Sequence, residues 1–352
     1  MPHTPVSNEE DSTEDIFESS LYGLFAQPII AHSLPTPTSL FTFTHPYLPS
    51  LPASSALSHP IEPSSPPQSS ATTTSPSPPS LKLAIPIPQN SNNALQAHYI
   101  WPSSLYLSHL LLTSLVPLHP SSRILELGAG SGASSVVAAY LSKVRGLGCE
   151  VVSTDYGDEG IVRCLEGNFE RNLGDGTEGK GKDWDVRGFA WGEDPDELLR
   201  APSSRKEPPA GQDEIPSIPK QNQREPKPFD LLLCSDLLFF TPSHSALLSS
   251  VLSLLAPSPS AFSSSSPSPL SSSSTEVSAS IPEAHLTAGM HGGRGAIDRF
   301  VKMAEEEGGC VVEDRGVVIW DPKEQAWERV ERKEDEEGEG RVWWGVLRRK
   351  AC

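Results

Sequence analysis

The sequence predicts a parallel, doubly wound α/β sheet finished by an antiparallel hairpin, and three observations carry that expectation. Arg123–Leu127 is a short apolar strand that runs straight into Gly128-Ala129-Gly130-Ser131-Gly132. Strand-like and helix-like patterns then alternate along the chain, the order that winds helices onto both faces of a parallel sheet. Phe229–Leu233 is apolar apart from Asp230 and shows no alternation, as a strand buried on both faces does.

The elements follow in order. Leu81–Ile87 alternates apolar with other residues and reads as a short edge strand, where Pro86 costs no ladder bond. Ser103–Leu115 puts Leu107, Leu110, Leu111 and Leu115 on one helical face, which should cover the sheet that follows. After the strand at Arg123–Leu127 and the glycine turn comes a small-residue helix, Ala133–Leu141. Glu150–Asp155 is the second strand, ending in a carboxylate, and Glu159–Asn172 the next helix, by the spacing of Ile161, Leu165 and Phe169. A third strand is expected at Val186–Trp191. Phe229–Leu233 is the fourth, ending at Cys234-Ser235-Asp236, and a helix at Ser245–Leu255 follows it. The rest predicts a strand near His285–Gly289, a helix at Gly295–Glu307, and late strands at Val311–Ile319 and Arg341–Leu347.

Gly 26 and Pro 35 make up about 17% of the 352 residues, against a usual roughly 12%, so part of the chain is expected not to fold. Leu34–Ser80, Ala201–Pro228 and Ala256–Ser280 hold most of that excess, and are too rich in Ser and Pro to bury apolar surface against the entropy of ordering. The expected organisation is a mostly disordered region over 1–80 and one catalytic domain over 81–350, with disordered insertions near 201–228 and 256–280.

A net charge of −18, with 27 basic against 45 acidic side chains, argues against a general nucleic-acid binder. It is compatible with a basic protein partner and equally with plain solubility, since runs such as Glu331–Glu339 hold much of it. The five cysteines, Cys149, Cys164, Cys234, Cys310 and Cys352, have no paired spacing, so no zinc site is expected and the thiols read as reduced. His98 and His244 likewise have no partner at ligand spacing. The first residues lack the basic-then-apolar order of a signal peptide, and Leu105–Leu118 is too short and too interrupted to span a bilayer. A cytoplasmic protein is expected, with nuclear entry open.

In a doubly wound sheet ligands lie off the carboxyl ends of the strands, so the turns at Gly128, Asp155, Trp191 and Ser235 should face one crevice. Glycines let the backbone approach a ligand, the helix from Ala133 aims free N–H groups at it, and Asp155 is placed to accept from two ribose hydroxyls. The same turn also satisfies G-x-G-x-x-A with Asp155 downstream, the pattern of a dinucleotide site. Against that reading stands Glu126, inside the strand where a dinucleotide site is usually apolar. No hydride-transfer constellation follows the sheet.

The segments His98-Tyr99-Ile100-Trp101, Ile124–Gly130, Thr154-Asp155-Tyr156, Gly188-Phe189-Ala190-Trp191-Gly192 and Phe229–Leu237 occur in an order that resembles the family 16 protein methyltransferases. Within that family they are most similar to the fungal branch of elongation factor 1-alpha N-terminal and lysine methyltransferases, formerly described as nicotinamide N-methyltransferases. Leu21-Tyr22-Gly23-Leu24-Phe25 resembles that branch's short Leu-Phe motif, giving a resemblance over roughly Leu21–Pro28 and Leu83–Lys350.

The resemblance implies a Rossmann-like, seven-stranded class I methyltransferase sheet and S-adenosyl-L-methionine as cofactor. It implies cofactor contacts at Trp101, Gly128, Ala129, Gly130, Asp155, Trp191 and Ser235. Trp101 would shield the sulfonium with its π face, Trp191 would neighbour the adenine, and Ser235 would bond the adenine or ribose side. Core packing for the two tryptophans and a turn cap for Ser235 are the competing roles. Asp236, which opens Asp236-Leu237-Leu238-Phe239, would meet the incoming amine, or else cap a helix. Gly157 stands where relatives often carry Pro, and Met290-His291-Gly292 lacks the Ser and Pro that precede the relatives' His. The implied substrate is a protein amine, on translation elongation factor 1-alpha. Methyl transfer to nicotinamide and a non-catalytic protein-binding module are the alternative functions.

Overall fold

A computed structural model describes residues 29–30, 40–50, 79–87, 96–174, 183–201, 225–258, 280–290, 293–331, 338 and 340–351. The Leu21–Pro28 motif and His291 lie outside the described residues, as does most of the three Ser/Pro stretches. The strands are β1 (Ile29–Ile30), β2 (Phe41–Thr44), β3 (Ser80–Leu83), β4 (Tyr99–Ile100), β5 (Arg123–Leu127), β6 (Glu150–Asp155), β7 (Trp184–Gly188), β8 (Leu231–Ser235), β9 (Glu283–Gly289), β10 (Cys310–Asp321), β11 (Ala326–Arg329) and β12 (Arg341–Arg349). The helices are α1 (Pro102–Leu112), α2 (Ala133–Arg145), α3 (Glu159–Leu173), α4 (Asp196–Arg200), α5 (His244–Leu254) and α6 (Arg294–Glu306), with a 3₁₀ turn at Thr241–Ser243.

The main sheet has eight strands in the order β11-β10-β12-β9-β8-β5-β6-β7. β7, β6, β5, β8 and β9 pair in parallel, and β12 runs antiparallel between β9 and β10. The strand order reverses at β5, between β6 and β8, so the crevice of a doubly wound sheet opens above β5 and β8. The seven expected strands of this sheet are all present, and Ala326–Arg329 adds an eighth, paired with the outer half of the long β10.

Alternation along β5 distributes its side chains between two buried layers. Ile124 packs with α1 and α2, whereas Leu125 and Leu127 pack with α5 and α6. Glu126 therefore points into the layer under α2, where its Oε2 accepts the Ser135 N–H at 3.0 Å. A carboxylate from the strand thus serves the N-terminus of a helix whose own cap residue, Gly132, has no side chain to do so. Pro102 opens α1 at a position that needs no N–H, and Asp158 caps α3 by accepting from Gly160 and Ile161 N–H.

Gly132 sits at φ +74°, and a Cβ there would lie 2.3 Å from Leu165 Cδ1. Left-handed backbone and overpacking each carry a cost, so Gly132→Ala is expected to lose about 2–4 kcal/mol in a urea denaturation series. A loss below about 1 kcal/mol would show that α2 and α3 are not packed as described.

Three expectations are corrected. Leu34–Ser80 is not uniformly without structure: within it Phe41-Thr42-Phe43-Thr44 pairs antiparallel with Ser80–Leu83. The alternation in those four residues buries Phe43 against Leu81 and Leu83, an apolar contact that Ser/Pro composition hides. The strand expected at Leu81–Ile87 is accordingly confined to Ser80–Leu83 and belongs to that small hairpin, not to the main sheet. The third strand also ends earlier than expected, at Gly188, which leaves Trp191 in the turn beyond it.

Candidate active site

Above β5, β6, β7 and β8 lies a cavity of about 320 Å³, and all the residues singled out from the sequence line it: Trp101, Gly128, Ala129, Gly130, Asp155, Trp191, Ser235 and Asp236. They come from five separate turns or strand ends. Their convergence reflects the topology, since every parallel strand ends on the same edge.

The glycine turn forms the floor. Gly128 has φ +59°, and a Cβ there would meet Leu237 Cδ2 at 2.5 Å and Trp191 Cζ2 at 3.3 Å. The space a side chain would fill is thus taken by an apolar wall and an aromatic edge. Asp155, 7% exposed, fixes the turn from the neighbouring strand: its Oδ2 accepts the Gly130 N–H at 2.6 Å and its Oδ1 the Tyr156 N–H at 2.7 Å. The carboxylate expected to meet ribose hydroxyls is therefore already organised by two backbone donors. Each oxygen keeps acceptor capacity toward the cavity.

Burial raises the Asp155 carboxyl from 3.8 to about 6, against the opposing pull of its two backbone hydrogen bonds. Glu126, fully buried behind the turn, is raised from 4.5 to about 7, first by burial and further by the Asp155 charge. Its Oε1 has no hydrogen-bond partner. The folded protein holds these protons at pH values where the unfolded chain has released them, so stability falls as pH rises from 3.8 to about 7 and then levels. Glu126→Gln removes its share of that slope. Between pH 5 and pH 8 the variant is expected to lose about 2–3 kcal/mol less than the parent in denaturant titrations. Parallel losses would show that Glu126 is ionised throughout.

Trp101, also lining the cavity, donates its Nε1–H to the Gln96 carbonyl at 3.3 Å and packs against Tyr99, ring centroids 5.1 Å apart. Trp191 sits beside Gly192, whose N–H is held by Ser250 Oγ at 2.8 Å. Asp236 is 5% exposed and adopts a left-handed backbone, φ +57°. It is not a helix cap. Its N–H donates to Thr287 O at 2.7 Å and its Oδ1 accepts from Gly289 N–H at 2.8 Å, which clips the end of β8 to the end of β9. Phe239 and Phe240 complete the rim beside it, Phe240 being 43% exposed.

Sequence reasoning missed the lining residues Gln96 and Ala97, which precede β4. Gln96 is buried with φ +51°, an outlier for a residue with a side chain. Their signal was local backbone strain, which no periodicity reports. Among the described residues no group of three or more His, Cys, Asp or Glu could hold a metal ion, and no helix is long and apolar enough to cross a membrane.

Residues 81–203 match the family described as lysine methyltransferase. That stretch holds Trp101, the glycine turn, Asp155 and Trp191, while Ser235 and Asp236 lie beyond it. The chain is 31% identical over 159 residues to the protein N-terminal and lysine N-methyltransferase EFM7 of Candida albicans, covering 45% of this chain and 52% of that protein. It is 32% identical over 161 residues to the protein of the same name from Cryptococcus neoformans, covering 46% and 44%. The matches thus span about half the length of these relatives. Among solved structures, precorrin-6y C5,15-methyltransferase from Geobacter metallireducens superposes at a TM-score of 0.35 with 12% identity, over 70% of this chain and 86% of that chain.

Proposed function

We propose, from the match of residues 81–203 to the lysine methyltransferase family, that this chain is an S-adenosyl-L-methionine-dependent protein N-methyltransferase acting on an N-terminal amine, a lysine amine, or both. The observation that carries the reading is the single cavity in which Trp101, the glycine turn, Asp155, Trp191 and Ser235 meet Asp236. The family match spans the turn whose glycines alone fit a dinucleotide equally, and so favours the methyl donor.

When bound, the cofactor supplies an electrophilic methyl group on a sulfonium centre. Gly128, Ala129, Gly130 and Asp155 would hold its ribose and amino-acid end, Trp191 and Ser235 its adenine, and Trp101 its charged sulfur. A cation at that place would favour the ionised form of both buried carboxylates. The protein's remaining task is to align an amine lone pair with the S–CH₃ bond and keep water out. Asp236 would accept an N–H of the amine and orient it, with Phe239 and Phe240 walling the approach. An α-amine, with a reference pKa near 8, needs little help to lose its proton, whereas a lysine needs a neighbouring carboxylate.

The substrate that the sequence resemblance implies is translation elongation factor 1-alpha, in the cytoplasm. The test is incubation of the full chain with labelled S-adenosyl-L-methionine and a lysate, followed by mass spectrometry. Labelled translation elongation factor 1-alpha, modified at its first residue or a lysine, is the expected result. Label confined to small molecules would overturn it.

A further inference from the structure

Outside the cavity, α3 presents two asparagines one turn apart, Asn168 and Asn172, toward the strand β3. Lys82 N–H donates to Asn172 Oδ1 at 2.8 Å and Asn172 Nδ2 donates back to Lys82 O at 2.9 Å. Ala84 N–H donates to Asn168 Oδ1 at 2.7 Å and Asn168 Nδ2 donates back to Ala84 O at 2.8 Å. Four residues of helix rise about 6 Å and two residues of strand about 6.8 Å, so side-chain amides at i and i+4 match backbone groups at j and j+2. The pair substitutes for a strand along the side of β3 that does not face β2.

Asn168 does more than Asn172. It is fully buried, and its Nδ2 also donates to the carbonyl of Ser131, inside the glycine turn, at 2.8 Å. Its Oδ1 also accepts from Arg171 at 2.6 Å. One side chain therefore joins Ala84, at the end of β3, to the floor of the cavity. Farther along the chain from Ala84, Gln96 and Ala97 line the cavity, and Ala97 O lies 3.5 Å from where a Cβ of Gly130 would be. The glycine turn is thus held from outside by Asn168 and covered from above by Ala97.

We propose that Asn168 is a positioning residue for the cofactor: it fixes the glycine turn relative to Ala84 at the end of β3, so that cofactor affinity depends on a side chain that does not line the cofactor cavity. The proposal rests on the S-adenosyl-L-methionine reading above. Asn172 serves as its internal control, because it grips the same strand from the same helix and makes no bond to the turn.

The test uses the full chain and S-adenosylhomocysteine, with affinity measured by titration calorimetry. Asn168→Asp keeps size and the Oδ1 acceptor but sets an oxygen against the carbonyls of Ala84 and Ser131. It is expected to weaken binding tenfold or more and to speed amide hydrogen exchange over residues 128–136. Asn172→Asp, half-buried and setting an oxygen against the carbonyls of Lys82 and Asn168, is expected to stay within threefold and to speed exchange only around residues 80–84 and at the end of α3. With the lysate substrate, Asn168→Asp should raise the cofactor KM while kcat at saturating cofactor stays within threefold. Should Asn168→Asp fail to fold, Asn168→Ser, which leaves Ser131 O unpaired without adding charge, carries the same comparison. Equal effects of the two positions, or none, would overturn the proposal while leaving the cofactor reading intact. Absence of binding by the parent chain would overturn both.

Discussion

Asp155→Ala is expected to weaken S-adenosylhomocysteine binding at least 100-fold in titration calorimetry, with little change in the denaturation midpoint near pH 7. Two opposing magnitudes decide the second half of that result. The carboxylate accepts two backbone hydrogen bonds, at 2.6 and 2.7 Å, and bonds to a charged acceptor contribute about 1.5–3 kcal/mol each. The rise to about 6 is what remains after those bonds are counted, about 3 kcal/mol against the ionised form. Burial thus outweighs the bonds, so the empty fold loses little when the carboxylate goes. Binding has no such offset: the turn loses its anchor at Gly130 and the ribose its acceptor together. A 100-fold change corresponds to about 2.7 kcal/mol, within what one charged acceptor supplies. The parent's affinity should also weaken as pH falls through about 6, because the protonated carboxyl is the poorer acceptor. Unchanged affinity in the variant would mean that the end of β6 is not part of the cofactor site.

Much of this site was legible because its residues sit where strand patterns stop. Arg123–Leu127 and Glu150–Asp155 are unambiguous strands, so Gly128 and Asp155 fall at their carboxyl ends without any knowledge of pairing. Ser235 follows from the apolar run before it in the same way. The small hairpin of Phe41–Thr44 with Ser80–Leu83 was not legible, because its partners are separated by a long Ser/Pro stretch and each is only four residues long. Asn168 was hidden for a different reason. It lies on the face of α3 that periodicity marks as buried, and a polar residue there shows its use only when the strand it serves has been found. Glu126 was noticed as an oddity in an apolar strand, yet its partner, the Ser135 N–H, depends on how the glycine turn folds back over the strand.

Asp236 separates charge from geometry in a single substitution. Its left-handed backbone, φ +57°, suits asparagine nearly as well as aspartate, and an asparagine Oδ1 can accept the Gly289 N–H that Asp236 accepts at 2.8 Å. Asp236→Asn should therefore preserve the clip between β8 and β9, leaving the melting temperature and the affinity for S-adenosylhomocysteine close to those of the parent. What it removes is the negative charge beside the place where, in the proposed reaction, the substrate amine would turn its lone pair toward the methyl group. Positioned acid–base groups contribute about 10²–10⁴ in rate, and kcat is expected to fall at least 100-fold on a lysine substrate. On an α-amine, already partly neutral at pH 7, the fall should be smaller and should shrink further as pH is raised toward 9. Asp236→Ala, by contrast, loses the Gly289 bond and places an ordinary side chain in a left-handed turn, so it should lower stability by about 2–3 kcal/mol as well. If Asp236→Asn keeps full activity while Asp236→Ala merely unfolds, Asp236 is a clip between two strands, and the amine is oriented by the aromatic rim alone.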